Sequence, residues 1–242
     1  MAIEPHPENI ILLNAAMYKN KIDCCTIVHA AVMDREGLFD IIGDVAFGEM
    51  LPRAEGSLGI PGATMDQLAK IYDFMDTKLI KIDVEGGENL VLSGMKNLFE
   101  STHPEIIIEG NIWTCGQQGY SVKDILHKLD NYGYDLYRFY GGFLVPVTVD
   151  TLQVNVVVDY LATNKSRKKL VRKLNVREMT DEEMIDSLLA EAETTEIHST
   201  FFLKIFDMLP VRVRSNSNIK ALKNKLGAID TSKINGTLEI GL

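Results

Sequence analysis

Residues 79–95 read LIKIDVEGGENLVLSGM, and few folds accommodate that order. An apolar run ends in an acid, two glycines follow, and Leu90, Val91 and Met95 then recur at helical spacing. The pattern predicts a strand, a tight turn and a helix. Repeated units of this kind pack as a sheet with helices on its faces, and in an open parallel sheet ligands sit beyond the carboxyl ends of the strands. Asp83 and Glu85 therefore fall where such a fold places its chemistry.

The flanking segments extend the pattern. Residues 2–4 read as the tail of a strand, Pro5 and Pro7 as the turn after it, and 8–18 as a helix with Ile11, Leu12, Ala15 and Ala16 on one stripe. A further strand is predicted over 26–32. Residues 43–62, with five glycines, Pro52 and Pro61, predict a long loop or a pair of irregular short strands. Thr64 with Gln67 has the form of a capping box opening a short helix over 64–72, and Ser121 with Asp124 resembles a cap on an amphipathic helix over 121–132 whose Val122, Ile125, Leu126 and Leu129 face the core. Residues 105–109 form a second apolar strand ending in an acid, and strands are expected over 135–140, 143–147 and 153–161, the last two antiparallel. The sum is an α/β fold, mostly parallel with a C-terminal antiparallel strand.

From Lys165 the composition changes. Residues 165–173 hold six positive charges, and 178–196 hold eight acids and no Lys or Arg, on a predicted helix opened by Thr180 and Glu183. A Phe-rich helix stops at Pro210, and a short one over 219–226 precedes the tail. This divides the chain into a domain over 1–164 and a helical extension over 165–242, to which the sequence assigns no role.

A net charge of −9 argues against a broad phosphate-backbone partner, since nonspecific nucleic-acid binding needs a basic face. Cys24, Cys25 and Cys115 form neither a disulfide framework nor a CxxC metal pair. His29, His103, His127 and His198 have no partner at ligand spacing. No apolar run approaches the roughly 18 residues of a membrane helix, and no secretory leader opens the sequence. A cytoplasmic protein with no membrane or nucleic-acid partner is expected; the sequence leaves its oligomeric state open.

Three strands end in acids, at Glu4, Asp83 and Glu109. Emerging at one edge of a parallel sheet, such acids accept ribose hydroxyls, hold a metal or take a proton. Each equally suits a structural role, complementing the N-terminus of the next helix, as does Glu88 in the first turn of its helix. Asp83, Glu85 and Glu109 are the candidates for proton transfer. Asp83, Glu109 and Asn111 offer an oxygen-only set of the kind Mg²⁺ takes, although the sequence assigns no metal. Trp113 and Cys115 follow the Glu109 edge and are candidates to line an acceptor pocket, or in the case of Trp113 simply to cover the core.

Several blocks in one order (MAIEPHPENIILLNAAMYKN, HAAVMDREG, TMDQL, KIDVEGGENLVLSGM and HPEIIIEGN) resemble the FkbM family of S-adenosylmethionine-dependent methyltransferases over roughly the first 160 residues. The resemblance implies a Rossmann-like methyltransferase sheet, S-adenosylmethionine as cofactor, and O-methylation of a hydroxyl on a sugar or other small-molecule acceptor. It makes Glu4 the acid that bonds the two ribose hydroxyls, with Pro5 and His6 bordering the adenosine and Ala30 and Ala31 the small residues beside the adenine, and it puts Asp83 nearest the reacting methyl. Such a fold has an earlier strand whose glycine-rich turn holds the methionine end, and only Met1 stands ahead of Ala2. That strand and turn are expected to be lacking, which leaves a second function open: a noncatalytic methyltransferase-like domain used for binding or assembly.

Overall fold

The computed structural model describes residues 1–42, 49–54, 57–153, 155–165, 174–192 and 194–227. The chain forms two compact units, Met1–Pro104 and Glu105–Leu242. Their strands pair in both parallel and antiparallel senses, and helices alternate with them through residue 164.

In the first unit β1 (Ala2–Glu4) pairs in parallel with β2 (Ile27–His29), joined to it through α1 (Pro7–Asn20). His6 starts α1 by accepting the Glu8 N–H on Nδ1, Pro7 supplies a φ already set for the first turn, and Lys21 ends it in the left-handed conformation at φ 55°. β3 (Ala31–Val32) pairs in parallel with β6 (Ile60–Ala63), which runs antiparallel to β4 (Gly37–Ile42); β4 also pairs with β5 (Glu49–Pro52). The segment over 43–62 thus contains two paired strands, and residues 43–48 lie outside the described residues. The strand expected over 26–32 is divided at Ala30, between β2 and β3.

The capping box of Thr64 and Gln67 opens α2 (Met65–Ile71). Asp66, 8% exposed, accepts the Asn97 and Leu98 N–H groups at 2.8 and 3.0 Å and so caps α4 (Lys96–Ser101) from a different helix. Between them lie β7 (Leu79–Ile82) and α3 (Glu88–Ser93). Val28, Ala30 and Leu68 form one apolar cluster, and Ala31, Met33 and Phe39 another. The apolar stripe of α1 has no place in either: Ile11, Leu12, Ala15 and Ala16 are exposed, and no residue of that helix is buried.

The second unit carries β8 (Glu105–Asn111), β9 (Tyr134–Tyr140), β10 (Phe143–Val147) and β11 (Val157–Asn164) in the order β10-β9-β11-β8, with β11 antiparallel to both neighbours. α5 (Ile112–Gln117) follows β8, and α6 (Val122–Asn131), opened by a Ser121–Asp124 capping box, buries Val122, Ile125, Leu126 and Leu129 as its spacing predicts. The acidic segment forms α7 (Asp181–Glu191), capped by Thr180 and Glu183, then α8 (Glu196–Ile205), a 3-10 turn over Phe206–Met208, α9 (Val211–Arg214) and α10 (Ser217–Leu226). The basic run at 166–173 lies outside the described residues. The helices dock on the sheet of this unit: Tyr140 Oη donates to the Glu183 carbonyl at 2.8 Å, and the Val156 N–H donates to Glu191 Oε1 at 2.7 Å. Among the described residues no helix is long and apolar enough to cross a membrane.

Candidate active site

The turn after β7 is built by its glycines and by Glu88. Gly86 takes φ 99° and Glu85 φ 49°, both in the left-handed region, where a side chain is disfavoured and glycine is not. Glu88 is 1% exposed, and its Oε1 accepts the N–H groups of Val84 and Gly86, each at 3.3 Å. The buried carboxylate thereby folds the turn onto the first turn of α3 and fixes the direction in which Asp83 and Glu85 leave the backbone. Its place in the first helical turn is legible in sequence; its grip on two backbone donors is not, because nothing in the spacing shows the chain bending back over it.

Asp83 is about half exposed. Lys81 stands two residues earlier, on the same face of the strand, and its Nζ lies 3.4 Å from Asp83 Oδ2. The alternation of Lys81 and Asp83 along β7 is the sequence signal for this pair. At Glu85, partial burial, then the neighbouring charges of Asp83 and Glu88, push the carboxyl above the usual range. The turn so presents one carboxylate beside an ammonium and one raised by burial and by neighbouring acids.

A cleft of about 430 Å³ opens beside this turn, entirely within the first unit, and both Glu4 and Asp83 line it. Its size lies in the range of small-molecule sites. Glu4 ends β1 half-buried, and its Oε1 accepts the His6 N–H at 2.7 Å, leaving Oε2 for a second donor. His29, opposite Glu4 in the β1–β2 register, has its Nε2 3.0 Å from the Pro5 carbonyl and fixes the turn that Pro5 and His6 make. The histidine at position 6 is thus a helix cap, and the one at 29 holds the turn. Ile3, Val32, Leu79 and Ile80 give the cleft its apolar wall. Ala30 and Ala31, 5% and 1% exposed, belong to the two core clusters.

The remaining candidates lie in the second unit. Glu109 is half-buried on β8, directly opposite Asp159 of β11. Asn111 is the N-cap of α5: its Oδ1 accepts the Trp113 and Thr114 N–H groups at 3.0 and 3.4 Å, so the amide considered as a metal ligand already serves the backbone. Cys115 is fully buried and Trp113 partly so.

A family model described as the methyltransferase FkbM domain matches residues 1–136, a span that takes in β1, the cleft and the acid-bearing turn. No curated protein matches the chain, and no solved structure does.

Proposed function

The chain belongs to the FkbM methyltransferase domain family, and on that premise we propose that it transfers a methyl group from S-adenosylmethionine to a hydroxyl of a sugar or other small polyol-like acceptor, on a Rossmann-like sheet whose carboxyl edge carries the site. The observation behind this reading is that one cleft is lined by two acids from different strand ends, Glu4 and Asp83. A nucleoside offers a pair of adjacent ribose hydroxyls, and a carboxylate with one free oxygen edge is their natural acceptor. Glu4 takes that role, with Ile3 and Val32 supplying apolar wall to the base. S-adenosylmethionine, when bound, supplies a methyl activated by its sulfonium.

Transfer to a hydroxyl requires the acceptor oxygen to be held in line and relieved of its proton. Asp83 lines the cleft with the Lys81 ammonium 3.4 Å from its Oδ2, and its carboxylate is the base assigned to the acceptor hydroxyl. Glu85, two residues further round the turn, has its carboxyl raised above the usual range by partial burial and then by the charges of Asp83 and Glu88. The acceptor is taken to be a small molecule, consistent with a net charge of −9 that would repel a phosphate backbone.

The test is methyl transfer from radiolabelled S-adenosylmethionine to a panel of mono- and disaccharides. Asp83→Asn keeps shape and one acceptor but loses the charge, and its turnover should fall by roughly 10² to 10⁴ at saturating cofactor. Glu4→Gln should instead raise the KM for the cofactor, by a loss of roughly 1 to 2 kcal/mol, and recover most of its rate at saturation. Near-normal turnover in Asp83→Asn would make that acid structural and pass the role to Glu85.

A further inference from the structure

The second unit holds a pocket that the methyl-transfer reading leaves unused. It measures about 130 Å³, and three stretches far apart in sequence supply its apolar wall: Ile112, Val122 and Leu126, then Leu152 in the loop before β11, then Phe201 and Met208. Phe201 lies in α8 and Met208 in the 3-10 turn after it, so the extension to which the sequence assigns no role forms one side of the pocket. Protein interiors leave few voids larger than a water molecule, and an apolar cavity of about 150 Å³ stays dry and admits a benzene-sized ring. The space between these walls is of that order.

The polar part of the lining is short of donors. Tyr160, 3% exposed on β11, spends its one hydroxyl proton on Gln153 Oε1 at 3.3 Å. The two hydrogens of the Gln153 amide have carbonyls to meet, at Asn155 (2.9 Å) and Gly110 (3.3 Å). Ser121 Oγ donates to Asp124 Oδ2 at 2.7 Å within the capping box of α6. What Tyr160 and Gln153 still offer is lone pairs, on the phenol oxygen and on Oε1. Burial pushes the Tyr160 phenol up and keeps it neutral. The one ammonium in the lining, Lys123, is engaged 3.0 Å from Oδ1 of the exposed Asp150. An occupant therefore has to be mostly apolar, about one ring in size, and to bring its own hydrogen-bond donor.

We propose that this pocket is a binding site for a small phenol, one aromatic ring packed against Leu126, Phe201 and Met208 with its hydroxyl donating to the Tyr160–Gln153 pair. The ring suits the walls, since Phe201 and the Met208 thioether both make favourable aromatic contacts. A sugar is a poor occupant, because it sets several hydroxyls against aliphatic walls that cannot pair them. A carboxylate is another, because the inner groups present acceptors to a group that only accepts. Occupancy joins the sheet, α6 and the C-terminal helices through one ligand.

The probes are 4-fluorophenol, fluorobenzene and 4-fluorobenzoate, each titrated into the full chain without cofactor and followed by fluorine NMR. 4-Fluorophenol should bind saturably with a Kd of roughly 1 mM or lower, fluorobenzene about tenfold more weakly because it leaves the two acceptors unmet, and 4-fluorobenzoate not at all. Tyr160→Phe keeps the ring and removes the oxygen; it should narrow the gap between the first two probes to about twofold, with fluorobenzene binding showing that the pocket is intact. Met208→Trp, at a partly exposed position in the wall, should fill the space and abolish binding of both while the circular dichroism spectrum stays that of the parent. Absence of saturable 4-fluorophenol binding would overturn the proposal, as would equal affinity for fluorobenzene in the parent or tighter binding of 4-fluorobenzoate. So would 4-fluorophenol binding that both variants leave unchanged. None of these outcomes depends on methyl transfer.

Discussion

Replacing Glu88 with alanine should loosen the turn that carries Asp83 and Glu85, and the structure sets the size of the effect. The side chain is 1% exposed, and its Oε1 accepts two backbone N–H groups at 3.3 Å. Each donor left without a partner costs about 1 to 3 kcal/mol when buried, and these bonds are at the long end of the normal range. Val84 lies beside solvent and its N–H can be rehydrated, whereas the Gly86 N–H cannot so easily. The expected loss for Glu88→Ala is therefore about 2 kcal/mol, or a fall of about 4 to 8 °C in midpoint for a chain of this length. Glu88→Gln keeps a neutral acceptor and should lose about 1 kcal/mol. Urea titration with a common slope measures both. If Glu88→Ala stays within about 0.5 kcal/mol of the parent, the glycine backbone alone holds the turn and the reasoning fails.

Glu85→Gln tests the electrostatics of the same turn. The folded-state value of Glu85 is raised above the ordinary 4.5, so the folded protein holds this proton more tightly than the unfolded chain, and the stabilisation is present below 4.5 and is lost as pH rises through the folded value. Stability measured from below 4.5 to neutrality should fall less steeply in Glu85→Gln than in the parent; parallel profiles would contradict the assignment. Deleting residues 165–242 should lower the thermal midpoint and expose dye-binding apolar surface, because Phe201 and Met208 share a small apolar pocket with Val122 and Leu126 of α6, and Glu191 holds the Val156 N–H. An unchanged midpoint would show that the helices dock without stabilising the sheet.

What the sequence made legible follows from locality. The turn after β7 could be read because apolar period switches from strand to helix across an acid and two glycines, and α2 and α6 because each begins with a side chain that caps its own first turn. Signals that act across the chain were not legible. Asp66 caps α4 from a residue some thirty positions earlier, and Asn111 turns its amide inward as a helix cap when its place at a strand end equally suited a ligand. The pairing of β4 with β5 and β6 hides in a stretch rich in glycine and proline, where side-chain alternation is weak. The stripe on α1 was readable as apolar, but periodicity gives a face and never its partner; here the face is exposed. The same holds for the acids: spacing puts Glu4, Asp83 and Glu109 at strand ends, while only the folded first unit brings Glu4 and Asp83 to one cleft.

The central claim is that this cleft receives the nucleoside end of the cofactor, and protein NMR with S-adenosylhomocysteine addresses it without needing the acceptor. Titration should shift the resonances of Ile3, Glu4, Val32 and Asp83 in a saturable manner, whatever the affinity, and Glu4→Gln should weaken the binding by roughly five- to thirtyfold while the rest of the spectrum stays in place. Shifts clustered away from these residues, or a Glu4→Gln variant that binds as the parent does, would contradict the account.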